Sequence, residues 1–188
     1  MPTDYVQFDE LEDVLSSLDL LALTVPLVKE QPSYWKWVII AAHSGLQGAM
    51  VCALRDSAGI SILNRKSARE MLEWRKTGIG ERPKEFLADF MTLLRRCRKA
   101  SCMEGHPLTL SGPQVDDVTY LHGEFRNQFA HFIPIGWSIE IAGLPRIIRA
   151  AIDATETLMA HPRVARKLTG NRTRRLADRI SVARAHFQ

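Results

Sequence analysis

The sequence predicts an all-α protein, a bundle of about five or six helices. Three observations predict it. Apolar residues recur at spacings of three and four through nearly every segment. Prolines fall between those segments or at their first turns. The apolar–polar alternation of a strand occurs once, in WSIEI (137–141), which is too short to build a sheet.

Taken in order, residues 4–24 set Phe8, Leu11, Leu15, Leu18, Ala22 and Val25 along one face. Pro26 and Pro32 end that helix and bracket a connector. A long second helix over 33–56 follows, with Ser33 as its expected N-cap and a core stripe through Trp35, Val38, Ile39, Ala42, Leu46, Ala49, Met50 and Ala53. Residues 65–76 form a polar third helix capped by Asn64. After the Gly78 and Gly80 loop, Pro83 is expected to open a fourth helix reaching about residue 101, with Phe86, Phe90, Leu93, Leu94 and Cys97 inward. Its RRCRK run (95–99) then lies in the last turns, where cations favour the helix dipole. Ser111 caps a fifth helix over 113–132, and residues 133–143 are irregular. A sixth helix spans 145–160, with Pro145 in its first turn, and Pro162 breaks it. The domain expectation is an N-terminal helical extension (1–30), a helical domain (31–160) and a basic C-terminal tail (161–188).

Composition narrows the function classes. With 188 residues, 46% hydrophobic and 24% charged, the chain is an ordinary globular one, not a disordered or collagen-like one. Its three cysteines are too sparse for a disulfide framework and fit a reducing cytoplasm. The acidic N-terminus lacks the order of a signal peptide. Residues 37–54 contain no Asp, Glu, Lys or Arg, but His43, Ser44, Gln47 and small residues dilute the run. It reads as a central core helix, with no membrane partner.

The formal charge of +4 hides an asymmetry. Residues 161–188 hold eight of the 25 basic side chains and one of the 21 acidic ones, leaving 17 basic and 20 acidic elsewhere. Arg163, Arg166, Lys167, Arg172, Arg174 and Arg175 are therefore candidate contacts for nucleic-acid phosphates. A charge surplus on a solvated helix accounts for the same pattern.

The most informative segment is LHGEFRNQFAHF (121–132). At 100° per residue, Val118, Leu121, Phe125, Phe129 and Phe132 fall within about 40° of one core line. Arg126 lies about 100° to one side, His131 about 120° to the other, and Asn127 nearly opposite. All three are expected to face solvent, a cleft or another subunit. A second stripe, Asp116, Tyr120, Gly123, Asn127 and Ala130, has the 4-3-4-3 spacing of a helix–helix seam. That spacing predicts a two-fold homodimer through the 113–132 helix, gathering two copies of Arg126 and His131 in one groove. Imidazole can exchange a proton near neutral pH, and guanidinium binds phosphate oxygens through a fork of donors. Such a groove suits cleavage of an RNA phosphodiester by its own 2′-OH, without metal or other cofactor.

RNQFAH (126–131) resembles the R-x4–6-H motif of HEPN domains, in the form with Asn after the arginine. AAHSGLQGAMVCALR (41–55) is similar to the end of their first long helix. The resemblance covers about residues 34–160. It implies an α-helical homodimer with Arg126, Asn127 and His131 as the site, acting as a metal-independent RNA endonuclease in a toxin or defence setting. It also implies a cognate antitoxin or a nucleotidyltransferase-like protein as partner. Some family members are non-catalytic and bind nucleotide, RNA or a partner protein, which is the alternative expectation. A third is a structural helical dimer whose tail contacts DNA.

Other signals carry less. Cys97, Cys102 and His106 are too loosely spaced, and lack a fourth ligand, for a zinc site. GIGERPK (78–84) lacks the Gly-Lys-Ser/Thr order of a Walker loop. His43 and His122 read as hydrogen-bonded border residues, and Trp137 as a packing anchor.

Overall fold

The computed structural model describes residues 5–130 and 136–187. Those residues are all-helical and contain no strand beyond one isolated bridge between Leu63 and Leu87. Helix α1 (Glu10–Thr24) starts later than its apolar spacing predicts. The Asp9 carboxylate accepts the Glu12 N–H at 2.7 Å, and Glu10, Glu12 and Asp13 occupy the first turn, where acids suit the helix dipole. Phe8 precedes this cap and is 64% exposed, so it leaves the expected core stripe. Two 3-10 turns, Val25–Lys29 and Pro32–Tyr34, follow. Ser33 belongs to the second turn and makes no side-chain cap, so α2 begins at Trp35 and ends at Leu54.

Helix α2 is the centre of the molecule. It packs against α1 and, among the elements defined below, α4, the π segment, α7 and α8. Burial on several faces explains the charge-free run. The segment Pro32–Leu54 is long and apolar enough to pass for a membrane span, yet 72% of its apolar window is buried inside the protein. Of two glycines at the α1–α2 contact, only Gly48 is required by the spacing. A Cβ at Gly48 would lie 2.8 Å from Val14 Cγ2 and 3.0 Å from Asp13 Oδ2, whereas one at Gly45 would meet Ser17 Cβ at 3.6 Å. Gly48→Ala is therefore expected to destabilise by about 1–2 kcal/mol, overpacking outweighing the gain in helix propensity. Gly45→Ala is expected to be neutral or to stabilise by up to about 1 kcal/mol. Urea unfolding of the two variants checks both.

Helix α3 (Arg65–Thr77) is capped as expected, Asn64 Oδ1 accepting the Ser67 N–H at 2.8 Å. The fourth helix is shorter than Pro83 predicts. The chain before it pairs with residues 62–64 instead: Asn64 N–H donates to the Phe86 carbonyl and Ala88 N–H to the Ile62 carbonyl, both at 2.9 Å. Backbone groups spent there cannot join a helix, and Phe86 is left 58% exposed. Helix α4 (Phe90–Cys97) begins only after Asp89, whose carboxylate accepts the Thr92 N–H at 2.8 Å. Phe90, Leu93, Leu94 and Cys97 point inward as the spacing predicts.

Helix α5 (Gly112–Tyr120) opens on a capping box made by Ser111 and Gln114. It continues into a π-helical segment (Leu121–Arg126) and then α6 (Asn127–Ala130). Helix α7 (Leu144–Met159) holds α5 through an ion pair between Arg146 and the buried Asp117. Pro162 opens the short α8 (Pro162–Ala165), and Gly170 precedes α9 (Asn171–Ala185).

The two terminal segments are not appendages. Helix α1 packs on α2 and α9, and α9 packs on α1 and α7. Leu11, Leu18, Val164, Ile180 and Phe187 belong to the same core as α2, and Phe187 stacks on Trp35 at 6.1 Å between centroids.

Candidate functional site

The π segment decides where Arg126 goes. A π turn carries more residues than an α turn, so every later residue is out of phase with the 100° projection. Val118, Leu121 and Phe125 keep the buried line, while Arg126 and Asn127 become half-buried rather than facing fully outward. Arg126 opens into a cleft of about 390 Å³ between α1, α2, Leu87 and the π segment. Glu10, Asp13, His43, Ser44 and Gln47 also line it.

Arg126 Nη1 donates to Asn127 Oδ1 at 3.1 Å. Among the described residues no carboxylate pairs with this guanidinium. The acids across the cleft are otherwise disposed. Glu10 bridges Arg55 at 2.7 Å and Lys167 at 3.5 Å. Burial raises its carboxyl, but its own backbone hydrogen bond and those two cations hold it below the usual range. Asp13 has no such cation, and burial pushes its carboxyl up.

Sequence reasoning missed the histidine pair beside Arg126. His43, on α2 and 2% exposed, meets His122 of the π segment with Nε2 2.9 Å from Nδ1. Phe90, the first residue of α4, stacks on both rings at 4.6 and 4.5 Å between centroids. Burial, then His122 and Arg126, push the His43 imidazole down to about 3. Burial and Arg126 also lower His122, against a small opposing pull from Asp89. Both rings are pushed toward the neutral form, in which one ring N–H donates to the other ring's nitrogen across the contact. The cleft presents the Arg126 cation and the His43 ring together with the carboxyls of Glu10 and Asp13, and His122 is hydrogen-bonded to His43. Each histidine looked like a border residue on its own helix; nothing local links positions 43 and 122.

His131 lies outside the described residues. The expected seam is open on the protomer surface: Asp116, Tyr120, Gly123 and Ala130 are exposed, with Asn127 half-covered. A Cβ at Gly123 would meet nothing within 4 Å. Trp137 lies against Phe129 at 5.0 Å between centroids. Cys97 is sealed in the core, and among the described residues no three His, Cys, Asp or Glu side chains converge on a metal position.

Most cations of the basic C-terminal tail are engaged within the protomer. Arg163 donates to the carbonyls of Ala53, Leu54 and Cys102 and bridges Glu104 at 3.0 Å. Lys167 reaches Glu10, Arg172 reaches Asp9 and Glu12, and Arg175 reaches Glu12 and Asp19. Arg179 also bridges Asp19, at 2.6 Å. These side chains meet the acids of α1, so much of the tail's charge is met inside the protomer. Arg166 and Arg174 stay exposed. Scanned against protein-family models, curated proteins and solved structures, the chain finds no match.

Proposed function

We propose that this chain is a metal-independent RNA endonuclease of the HEPN type, working as a cytoplasmic homodimer through α5, the π segment and α6. The observation that carries the reading is Arg126: a half-buried guanidinium, oriented by Asn127, without a carboxylate partner among the described residues. A half-buried cation with no acid partner favours an anion, and its fork of donors matches phosphate oxygens. Arg126 binds the scissile phosphate and stabilises the extra negative charge that develops in the transition state. Asn127 holds the guanidinium in place. His131, the site histidine by resemblance, takes the proton from the ribose 2′-OH as that oxygen attacks phosphorus. The P–O5′ bond breaks, and the leaving oxygen takes a proton from the second copy's imidazole. The products are a 2′,3′-cyclic phosphate and a 5′-hydroxyl. The setting that fits is a toxin or defence system with a cognate antitoxin or nucleotidyltransferase-like partner.

One observation favours the non-catalytic alternative. The described lining of the Arg126 cleft comes from α1, α2, Leu87 and the π segment of one protomer, which suits a nucleotide phosphate held without a second copy. Incubating the purified protein with tRNA and total RNA in EDTA separates the two. Fragments ending in cyclic phosphate, absent with His131→Ala, support the nuclease. Intact RNA, together with nucleotide binding lost in Arg126→Ala, selects the module.

A further inference from the structure

We infer that the RNA backbone is held by the two grooves flanking α4, and not by the C-terminal segment. This rests on the RNA reading above for its choice of polyanion. One groove, of about 570 Å³, is lined by Arg95, Arg98 and Lys99 over a floor that includes Leu94 and Val115. The other, of about 550 Å³, lies between α3 and α4 and adds Arg65 and Arg69. Arg95 and Arg96 line both, so the grooves form one surface astride the helix.

The cations on this surface outnumber its acids and, Lys76 apart, form no ion pair among the described residues, whereas most of those in the C-terminal segment are paired. No carboxylate among the described residues pairs with Arg65, Arg69, Arg95, Arg96, Arg98 or Lys99. Arg96 is anchored by donating to the carbonyls of Ser61 and Leu63, each at 2.8 Å, which fixes its position without cancelling its charge. Of the two acids lining these grooves, Glu73 pairs with Lys76, while Asp89 caps α4 and keeps a charge that Arg95 feels. Five arginines favour forked contacts to phosphate oxygens, and concave walls follow a strand rather than lie on a membrane. Among the described residues no aromatic side chain lines either groove, so binding is directed to the backbone and tolerates sequence.

The surface also leads to the candidate site. Ala88 and Asp89 line the α3–α4 groove while Leu87, one residue earlier, lines the Arg126 cleft. Phe90 begins α4 and stacks on His122 beside Arg126. A strand lying along the eight residues of α4, about 12 Å, therefore ends at the cleft.

The test is fluorescence anisotropy of a labelled 20-nucleotide oligo(U) RNA with the full chain, in an Arg126→Ala background so that cleavage does not enter. Replacing Arg95, Arg98 and Lys99 together with glutamine is expected to weaken binding about tenfold and to flatten the salt dependence by about two in slope. Arg166→Gln with Arg174→Gln is expected to change affinity less than twofold. Glutamine keeps helix propensity and these side chains are exposed, so circular dichroism should match the parent. If the triple variant does not fold, Arg98→Gln and Lys99→Gln singly are each expected to cost about threefold. Parent-like affinity in the α4 variants overturns the inference, as does an equal loss in the Arg166/Arg174 variant. No binding of the oligonucleotide by the parent overturns it too, even where phosphatidylserine vesicles are bound. Binding that follows α4, while the chain with Arg126 intact leaves tRNA and total RNA uncut, removes the nuclease and keeps the groove.

Discussion

Arg126→Ala is expected to lower RNA cleavage by about 10²–10³-fold, the usual cost of losing one donor aimed at transition-state charge. The loss should fall on kcat more than on KM if the guanidinium acts mainly on developing charge. Arg126→Lys keeps a cation but loses the fork and the bond to Asn127 Oδ1, so it should recover only part of the rate. Asn127→Ala should cost about tenfold through misorientation of the guanidinium. Stability should barely change in Arg126→Ala, because no ion pair among the described residues is broken. A cleavage assay on an RNA shown to be cut by the parent, with urea unfolding in parallel, measures all of this. Cleavage by Arg126→Ala at the parental rate would end the nuclease reading.

The second large effect is a loss of stability in mild acid, traced to His43. Its imidazole is held neutral, down to about 3, while an unfolded chain has the ordinary value near 6.5. A depressed histidine means that the unfolded state binds the extra proton first. Stability is therefore full above about pH 6.5 and falls as the pH drops toward 3. The slope is about 1.4 kcal/mol per pH unit, or about 2 kcal/mol lost by pH 5. His122 shifts in the same direction and adds to the loss. Charging both rings would also set two N–H groups against each other where one hydrogen bond now stands.

The charged groups acting on this pair are Arg126, which opposes protonation, and Asp89, which weakly favours it at His122; Glu10 and Asp13 line the same cleft as His43. The carboxylates bound to arginine between α1 and α9, such as Asp19 and Asp9, are held below their ordinary values, so their contribution is lost only at lower pH. The two windows are separable. His43→Gln should start less stable at pH 7, having lost the ring stack, and should then lose much less between pH 7 and 5. Urea midpoints at the two pH values give the comparison, and a parental slope in His43→Gln would show that other groups titrate.

The elements most legible from sequence were those with local causes. Asn64 and Ser111 cap α3 and α5 because a side-chain oxygen can reach an N–H three residues on, whatever the rest of the chain does. The inward stripes of α1, α2 and α7 follow from helical period alone. Where two local signals competed, spacing misled. Pro83 suits a helix start, but Asp89 provides the cap and residues 86–88 find backbone partners at 62–64. Phe8 continues an apolar spacing, but Asp9 takes the cap and leaves it outside.

The candidate site divides in the same way. That Arg126 and Asn127 belong to one helical run of the chain was readable as a motif whose histidine, His131, lies outside the described residues, and so was the exposed seam beside it. The histidine pair was not readable, since residues 79 apart meet only when α2 and the π segment pack. Nor was the pairing of the C-terminal arginines: composition counts charges, but Arg175 finds Asp19 across 156 positions of sequence.

By itself, the amino-acid order determined a helical protein, most of its breaks and the identity of a candidate arginine. Tertiary structure decided which way that arginine faces, which cations remain without acid partners and which histidines stay neutral. Periodicity and capping act over one helical turn, whereas burial and ion pairing depend on what the folded chain brings within a few ångströms.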